Sequence, residues 1–278
     1  MNIDQLIDAC LIEDIGDGDH TSLSCVPENA IGKANLIVKE SGIIAGVEIA
    51  KKVFYKVDAD LQLDIFIHDG ANVSIGDIVL TVEGKSRSIL AAERLVLNFM
   101  QRMSGIATST NSYAVLLKGL NTKVLDTRKT TPGLREIEKL AVKIGGGENH
   151  RMGLFDMIMI KDNHVDFAGG IEKAIHSTNE YLVKKNKDLK IEIEVRNLSE
   201  VKEVLRVGGV DRIMLDNFNP ENIKEAVQLI NGRFETEASG GIIKETLRAF
   251  AESGVDYISV GALTHHIKSL DLSLKAIK

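Results

Sequence analysis

The chain has 278 residues, 44% of them hydrophobic and 27% charged, which is the balance of a folded globular protein built as one large domain or two smaller ones. A net charge of −6 and a pI near 5.7 speak against a nucleic-acid partner, which needs a basic face. No apolar run is long enough to span a membrane, no basic segment followed by an apolar stretch opens the chain, and Cys10 and Cys25 lack metal-ligand spacing, so a cytoplasmic protein with no membrane partner is expected.

Residues 1–20 read as a helix that runs into the turn Asp14-Ile-Gly-Asp-Gly-Asp-His20. Residues 33–84 read mostly as β-structure, with strands near 33–39 and 61–67 and a helix over 47–57 between them. The turn Gly70-Ala-Asn-Val-Ser-Ile-Gly-Asp77 and the strand after it resemble small lipoyl- or biotinyl-carrying modules. No lysine sits at a hairpin tip there, so a structural turn is the preferred reading. Residues 88–118 predict a long helix: Ala92, Leu95, Phe99, Met103 and Ile106 form an apolar stripe, and Arg94, Asn98, Gln101 and Arg102 lie on another face. Gly105 is a place where this helix could break.

From residue 122 to 264 short β-type runs alternate with helix-length segments. The runs are Val124-Leu-Asp-Thr-Arg-Lys129, Asp156 to His164, Ile191-Glu-Ile-Glu-Val-Arg196, Arg212 to Asn217, Phe234 to Gly241 and Tyr257 to Thr264. This is the pattern of a parallel α/β barrel, whose active-site groups stand at the C-terminal ends of the strands. A standard barrel has eight strands, so this one is incomplete or takes another strand from the N-terminal half. An open flank would need cover, and a partner subunit could supply it. Residues 270–277 read as a short terminal helix or strand.

The strand ends carry the chemistry. Arg128 and Lys129 should flank the barrel mouth, where a guanidinium fork and an ammonium suit carboxylate or phosphate. The stretch Lys143-Ile-Gly-Gly-Gly-Glu-Asn-His-Arg151 lets the backbone approach a ligand closely or take unusual dihedrals, and His150 and Arg151 could both donate to an anion. Lys161, in Lys161-Asp-Asn-His164, could bind phosphate or form a Schiff base as in barrel aldolases. Glu192 and Glu194 point to one side of their strand. Glu194 and Asp216, on neighbouring strands, could hold ribose hydroxyls, Mg²⁺ or both. Ser239-Gly-Gly241 and Gly261 offer exposed N–H groups of the kind that hold phosphate in α/β barrels. A local cationic pocket in an acidic protein points to a small anionic ligand rather than a polymer.

Together these strings resemble the quinolinate phosphoribosyltransferase family. They extend from Glu13-Asp-Ile-Gly-Asp-Gly-Asp-His-Thr21 through Glu93 to Asn98, Ser104 to Thr108, Asp126 to Gly133, Gly145 to Arg151, Ile160 to His164, Met214 to Asn217, Glu237 to Gly241 and Gly261 to Thr264. The resemblance implies an N-terminal α/β sandwich over 1–107, an incomplete parallel α/β barrel over 108–265, and a C-terminal piece, 266–278, packed back on the first domain. It implies that quinolinate and 5-phosphoribosyl-1-pyrophosphate (PRPP) give nicotinate mononucleotide, pyrophosphate and CO₂ with Mg²⁺, in a homodimer with shared active sites or a higher assembly. Arg94 would reach the neighbour's quinolinate, joined there by Thr127, Arg128, Lys129, His150 and Arg151. Lys129 and Lys161 would act near the reacting groups, Glu194 and Asp216 at ribose and Mg²⁺, and Ser239, Gly240, Gly241 and Gly261 at the 5-phosphate. Two departures concern Arg196-Asn197, where smaller or neutral residues are expected, and Asp126, which is placed to pair with a cation. A related protein encoded beside molybdate transporters departs from the Ile-Lys-Asp-Asn-His string, which is intact here.

Overall fold

The computed structural model describes residues 2–277. The chain divides into two compact units. One runs to Asn111 and adds Thr130–Gly146 and the chain from Ala262; the other holds Ser112–Lys129 and Gly147–Gly261.

The first unit opens with α1 (Ile3–Ile15). The Asn2 side chain accepts from the Gln5 N–H at 2.9 Å and Gln5 returns the bond to the Asn2 N–H, so two orphan donors are satisfied at the helix start. Gly16, at φ 55°, ends the helix. Asp19 then caps α2 (His20–Cys25) by accepting from the Ser22 N–H, so that part of the acidic turn is structural. There follow β1 (Ile31–Val38), β2 (Gly42–Ile43), α3 (Val47–Val57), β3 (Gln62–Ile65), β4 (Asn72–Val73) and β5 (Ile78–Lys85). β5 lies antiparallel between β1 and β3, and α3 buries Val47, Ile49, Ala50, Val53 and Phe54 on one side. The long helix α4 (Ser86–Ala114) buries the predicted apolar stripe. It is not broken at Gly105, contrary to expectation: a Cβ there would strike the carbonyl oxygen of Lys268. The glycine serves a close approach of backbone to helix.

The second unit is built on a six-stranded parallel sheet. Its chain order is β6 (Lys123–Leu125), then α5 (Arg135–Ile144), which belongs to the first unit, β7 (Ile158–Ile160), α6 (Asp162–Ala168), α7 (Ile171–Lys185), β8 (Ile191–Val195), α8 (Leu198–Val207), β9 (Arg212–Asp216), α9 (Pro220–Ile230), β10 (Glu235–Ser239), α10 (Lys244–Ala251) and β11 (Tyr257–Ser259). The spatial order is β6-β11-β10-β9-β8-β7, so every run predicted as a barrel strand contributes one. Among the described residues no strand from the N-terminal half joins them; those strands form sheets of their own. Beyond β6 there is, among the described residues, a single parallel bridge, Leu125 to Glu148, drawn in because Asp126 is fully buried and its Oδ1 accepts the His150 N–H at 2.9 Å. Asp126 therefore ties the Gly-rich segment to β6.

Strands buried on both faces usually read as continuous apolar runs. These do not. Ile191, Ile193 and Val195 alternate with Glu192 and Glu194, and in register beside them Arg212, Met214 and Asp216 alternate with Ile213 and Leu215. One face of the sheet packs on helices and the other presents charge.

The chain ends with α11 (Ala262–His265) and β12 (Leu272–Ile277), a strand antiparallel to β1 in the first unit. Gln101 on α4 holds this return, its Nε2 donating to the Leu272 carbonyl and its own carbonyl accepting from the Leu270 N–H.

Candidate active site

β6 ends at Leu125, so Arg128 and Lys129 sit in the loop beyond the strand, both exposed, rather than on opposite sides of an extended end. Thr127 shapes that loop by accepting the Lys129 N–H on its Oγ1 at 3.1 Å. Arg151 is half-buried, and its Nη1 donates to the Met157 carbonyl at 3.2 Å. Burial depresses its pKa first and the nearby Arg128 charge depresses it further, so the two guanidiniums repel one another. In the Gly-rich stretch Gly146 takes a φ of 91°, and a Cβ at Gly145 would lie 2.8 Å from Cβ of Thr110 on α4, so the close contact of Gly145 is with a helix of the first unit. In the first unit the Arg102 charge is met by the buried Glu138 at 2.8 Å, and Arg135 donates to Thr130 Oγ1.

Lys161 follows β7 directly, and its N–H donates to His164 Nδ1 at 2.9 Å, folding the Lys-Asp-Asn-His string into the start of α6. Its ammonium lies 3.9 Å from Glu194 Oε2. Burial raises the Glu194 pKa, and Asp216 raises it further. Two carboxylates that repel across adjacent strands suit a hard cation or a set of hydroxyls between them. Asp216 is oriented from both sides, its Oδ1 accepting from Ser239 Oγ and its Oδ2 from Asn217 Nδ2, each at 2.6 Å. Gly240 and Gly241 have φ of 95° and 61°. A side chain at Gly240 would collide with Asn217, whereas Gly241 has open space around it and needs glycine only for its dihedral. Gly261 leads into α11. All of these residues lie in the second unit. Arg94 lies on α4 in the first, exposed and without a hydrogen-bond or ion-pair partner among the described residues.

Below the strand ends is a polar floor of which the sequence singled out only His150, as an anion donor, and Glu192. His150 Nε2 meets Glu192 Oε2 at 2.7 Å and Glu237 Oε2 at 3.5 Å. Arg212 donates to Glu237 at 2.9 Å, bonds Glu235 at 3.0 Å and stacks over the Tyr257 ring at 4.1 Å. Glu192 and Glu237 are fully buried, and one oxygen of each has no hydrogen-bond partner among the described residues. These three acidic and imidazole groups could encircle a metal, but Arg212 already supplies the positive charge. The period-two acids Glu235 and Glu237 were the available signal; their convergence on Arg212 needs the sheet register.

Burial and the neighbouring Glu192 push the Glu237 pKa up to about 8, against the opposing pull of His150 and Arg212. A carboxyl whose folded pKa is raised holds its proton more tightly when folded. Its contribution to stability is therefore complete below the ordinary value of 4.5 and is lost as pH rises through about 8. Glu237→Gln keeps the shape and a donor while removing the titration. It is expected to lose less thermal stability than the parent between about pH 4.5 and 8. Equal losses in the two proteins would exclude Glu237 as the source.

Comparisons with known proteins agree over nearly the whole length. The family description "Quinolinate phosphoribosyl transferase, N-terminal domain" matches residues 19–104 and "Quinolinate phosphoribosyl transferase, C-terminal domain" matches 106–275. A tobacco (Nicotiana tabacum) protein named quinolinate phosphoribosyltransferase [decarboxylating] 1b is 48% identical over 97% of this chain and 81% of its own. A Bacillus subtilis protein named probable nicotinate-nucleotide pyrophosphorylase [carboxylating] is 41% identical over 99% of this chain and 93% of its own. The crystal structure of NadC from Streptococcus pyogenes superposes with a TM-score of 0.94 at 40% identity, covering 99% of this chain and 97% of that one.

Proposed function

The chain belongs to the quinolinate phosphoribosyltransferase family, and on that footing we propose how its residues divide the work. The reaction moves the phosphoribosyl group of PRPP to quinolinate with loss of CO₂, giving nicotinate mononucleotide and pyrophosphate for NAD biosynthesis. The observation that carries the assignment of the site is the pair Arg128 and Arg151, two guanidiniums whose charges oppose one another. A ligand with two carboxylates relieves that repulsion, and quinolinate is such a ligand.

Arg128, Lys129 and Arg151 grip the quinolinate carboxylates, with Thr127 setting the loop and His150 setting the backbone beside Arg151. Ser239, Gly240, Gly241 and Gly261 direct N–H and hydroxyl groups at the 5-phosphate. Glu194 and Asp216 hold the ribose hydroxyls and Mg²⁺, a fit supported by hard oxygen donors that repel one another without a cation. Bound there with PRPP, Mg²⁺ would neutralise charge on the pyrophosphate. The pyridine nitrogen attacks C1 of the ribose, the C1–O bond to pyrophosphate breaks, and Lys129 and Lys161 stabilise the developing negative charge. Positive charge on the ring nitrogen then stabilises the carbanion left at C2 when CO₂ departs, and C2 takes up a proton. No covalent enzyme intermediate is needed, so neither lysine need act as an aldolase lysine.

The working form is a homodimer with shared sites. The exposed Arg94 and the open edge of the sheet at β7 support this, as do Leu154, Phe155 and Phe167, exposed on either side of β7 in the chain. A reducing cytoplasm suits Cys10 and Cys25, both free thiols, and no described helix is long and apolar enough to cross a membrane. Turnover of quinolinate with PRPP and Mg²⁺, followed through mononucleotide and CO₂ with nicotinate as the control substrate, tests the reading. Product from quinolinate alone supports it. Equal use of nicotinate would show that the 2-carboxylate is not read, and no turnover by folded protein would remove the assignment.

A further inference from the structure

Glu192 is fully buried and stands below the strand ends, so any influence on a ligand passes through a neighbour. That neighbour is His150. The His150 ring accepts the Arg151 backbone N–H on Nδ1 at 2.7 Å and faces Glu192 Oε2 with Nε2 at 2.7 Å. A neutral imidazole carries one hydrogen. On Nδ1 that hydrogen would point at the Arg151 N–H, donor against donor. On Nε2 it points at the Glu192 carboxylate, and both contacts become hydrogen bonds. The carboxylate thus selects the tautomer, as the outer carboxylate partners of functional histidines do elsewhere.

We propose that Glu192, backed by Glu237 and Arg212, is a positioning residue for quinolinate recognition: it holds His150 with its hydrogen on Nε2, and His150 in turn anchors the backbone of Arg151 at the substrate carboxylate. The anchor is itself braced. The His150 backbone N–H is taken by the buried Asp126, and Arg212 bonds Glu237 and Glu235 while stacked on Tyr257, which closes the floor under Glu192. Arg151 is fixed at its other end by the Met157 carbonyl, so backbone and guanidinium are both located. A guanidinium fork binds a carboxylate in one plane, and small displacements of such a group are costly.

The inference rests on Arg151 gripping quinolinate. Glu192→Met keeps the side-chain length and removes the acceptor. It is expected to raise KM for quinolinate about tenfold while leaving KM for PRPP within about twofold, and Glu192→Gln, which keeps an acceptor oxygen, is expected to recover most of the loss. A purely structural role would shift both KM values together and would not be rescued by glutamine. Nitrogen-15 shifts of the His150 ring give a second readout that needs no variant to fold: a hydrogen on Nε2 is expected in the parent enzyme, and one on Nδ1 would overturn the proposal. So would a quinolinate KM in Glu192→Met within about twofold of the parent, provided that Arg151→Ala does raise it. If Arg151→Ala leaves quinolinate KM unchanged, the fault lies with the grip assigned to Arg151, not with the tautomer of His150.

Discussion

Replacing Arg151 with alanine is expected to lower kcat/KM for quinolinate by about 10³-fold while PRPP binding stays close to that of the parent. Truncating one partner of a buried, hydrogen-bonded charge pair costs about 2–5 kcal/mol, much of it from the charge left unpaired, and the upper part of that range corresponds to 10³. Arg151 qualifies because burial is the leading influence on its guanidinium and its fork is already aimed, one arm held by Met157. Arg128 cannot take over, since it is exposed and lies on a different loop. PRPP should be indifferent because its groups are assigned to other residues: Lys129, Lys161, Glu194, Asp216, Ser239, Gly240, Gly241 and Gly261. Arg151→Lys restores charge without the planar fork, so only partial recovery is expected. Steady-state kinetics and calorimetric binding of each substrate check this; equal weakening of both substrates would remove the assignment.

The parallel sheet was legible because each strand is short and followed by polar residues, and because β8 alternates apolar with charged positions. The same feature misled at the margins. Polar residues after β6 and β7 read as strand, yet β6 stops at Leu125 and β7 at Ile160, which moves Arg128, Lys129 and Lys161 onto loops or a helix start. The placement of Glu194 and Asp216 on neighbouring strands followed from the β-α alternation alone, because consecutive units of that kind usually lie side by side. Glycines were harder. Gly105 and Gly145 look like a helix breaker and a ligand-approach site, but each admits another segment of backbone or helix that is far away in sequence. The floor of Glu192, Arg212 and Glu237 was hidden for the same reason: local pattern shows that Glu192 points inward, and only the register of three strands shows what it meets. Long-range pairing also decides the C-terminus, where residues that fit a helix or a strand become β12 because β1 offers a free edge.

Mixing two inactive variants should restore activity. Arg94→Ala and Lys161→Ala are each expected to fall by at least about 10²-fold, the first by losing a cation from the quinolinate site and the second by losing charge at the reacting groups. If Arg94 serves the neighbouring subunit's site, a hybrid dimer places both lesions in one site and leaves the other intact. Random exchange of equal amounts makes half the dimers hybrid, each with one working site of two, so about one quarter of parental activity should return. Each variant is measured alone, after mixing, and after mixing with confirmed subunit exchange. If Arg94 instead serves its own subunit, the hybrid carries one lesion in each site and nothing returns. The two arrangements contain the same residues and differ only in which chain supplies the arginine, so the recovered fraction separates them where single-variant kinetics would not. Arg94 is suited to this role because it is exposed on α4 with no hydrogen-bond or ion-pair partner among the described residues, so donating it to a partner breaks no contact within its own chain.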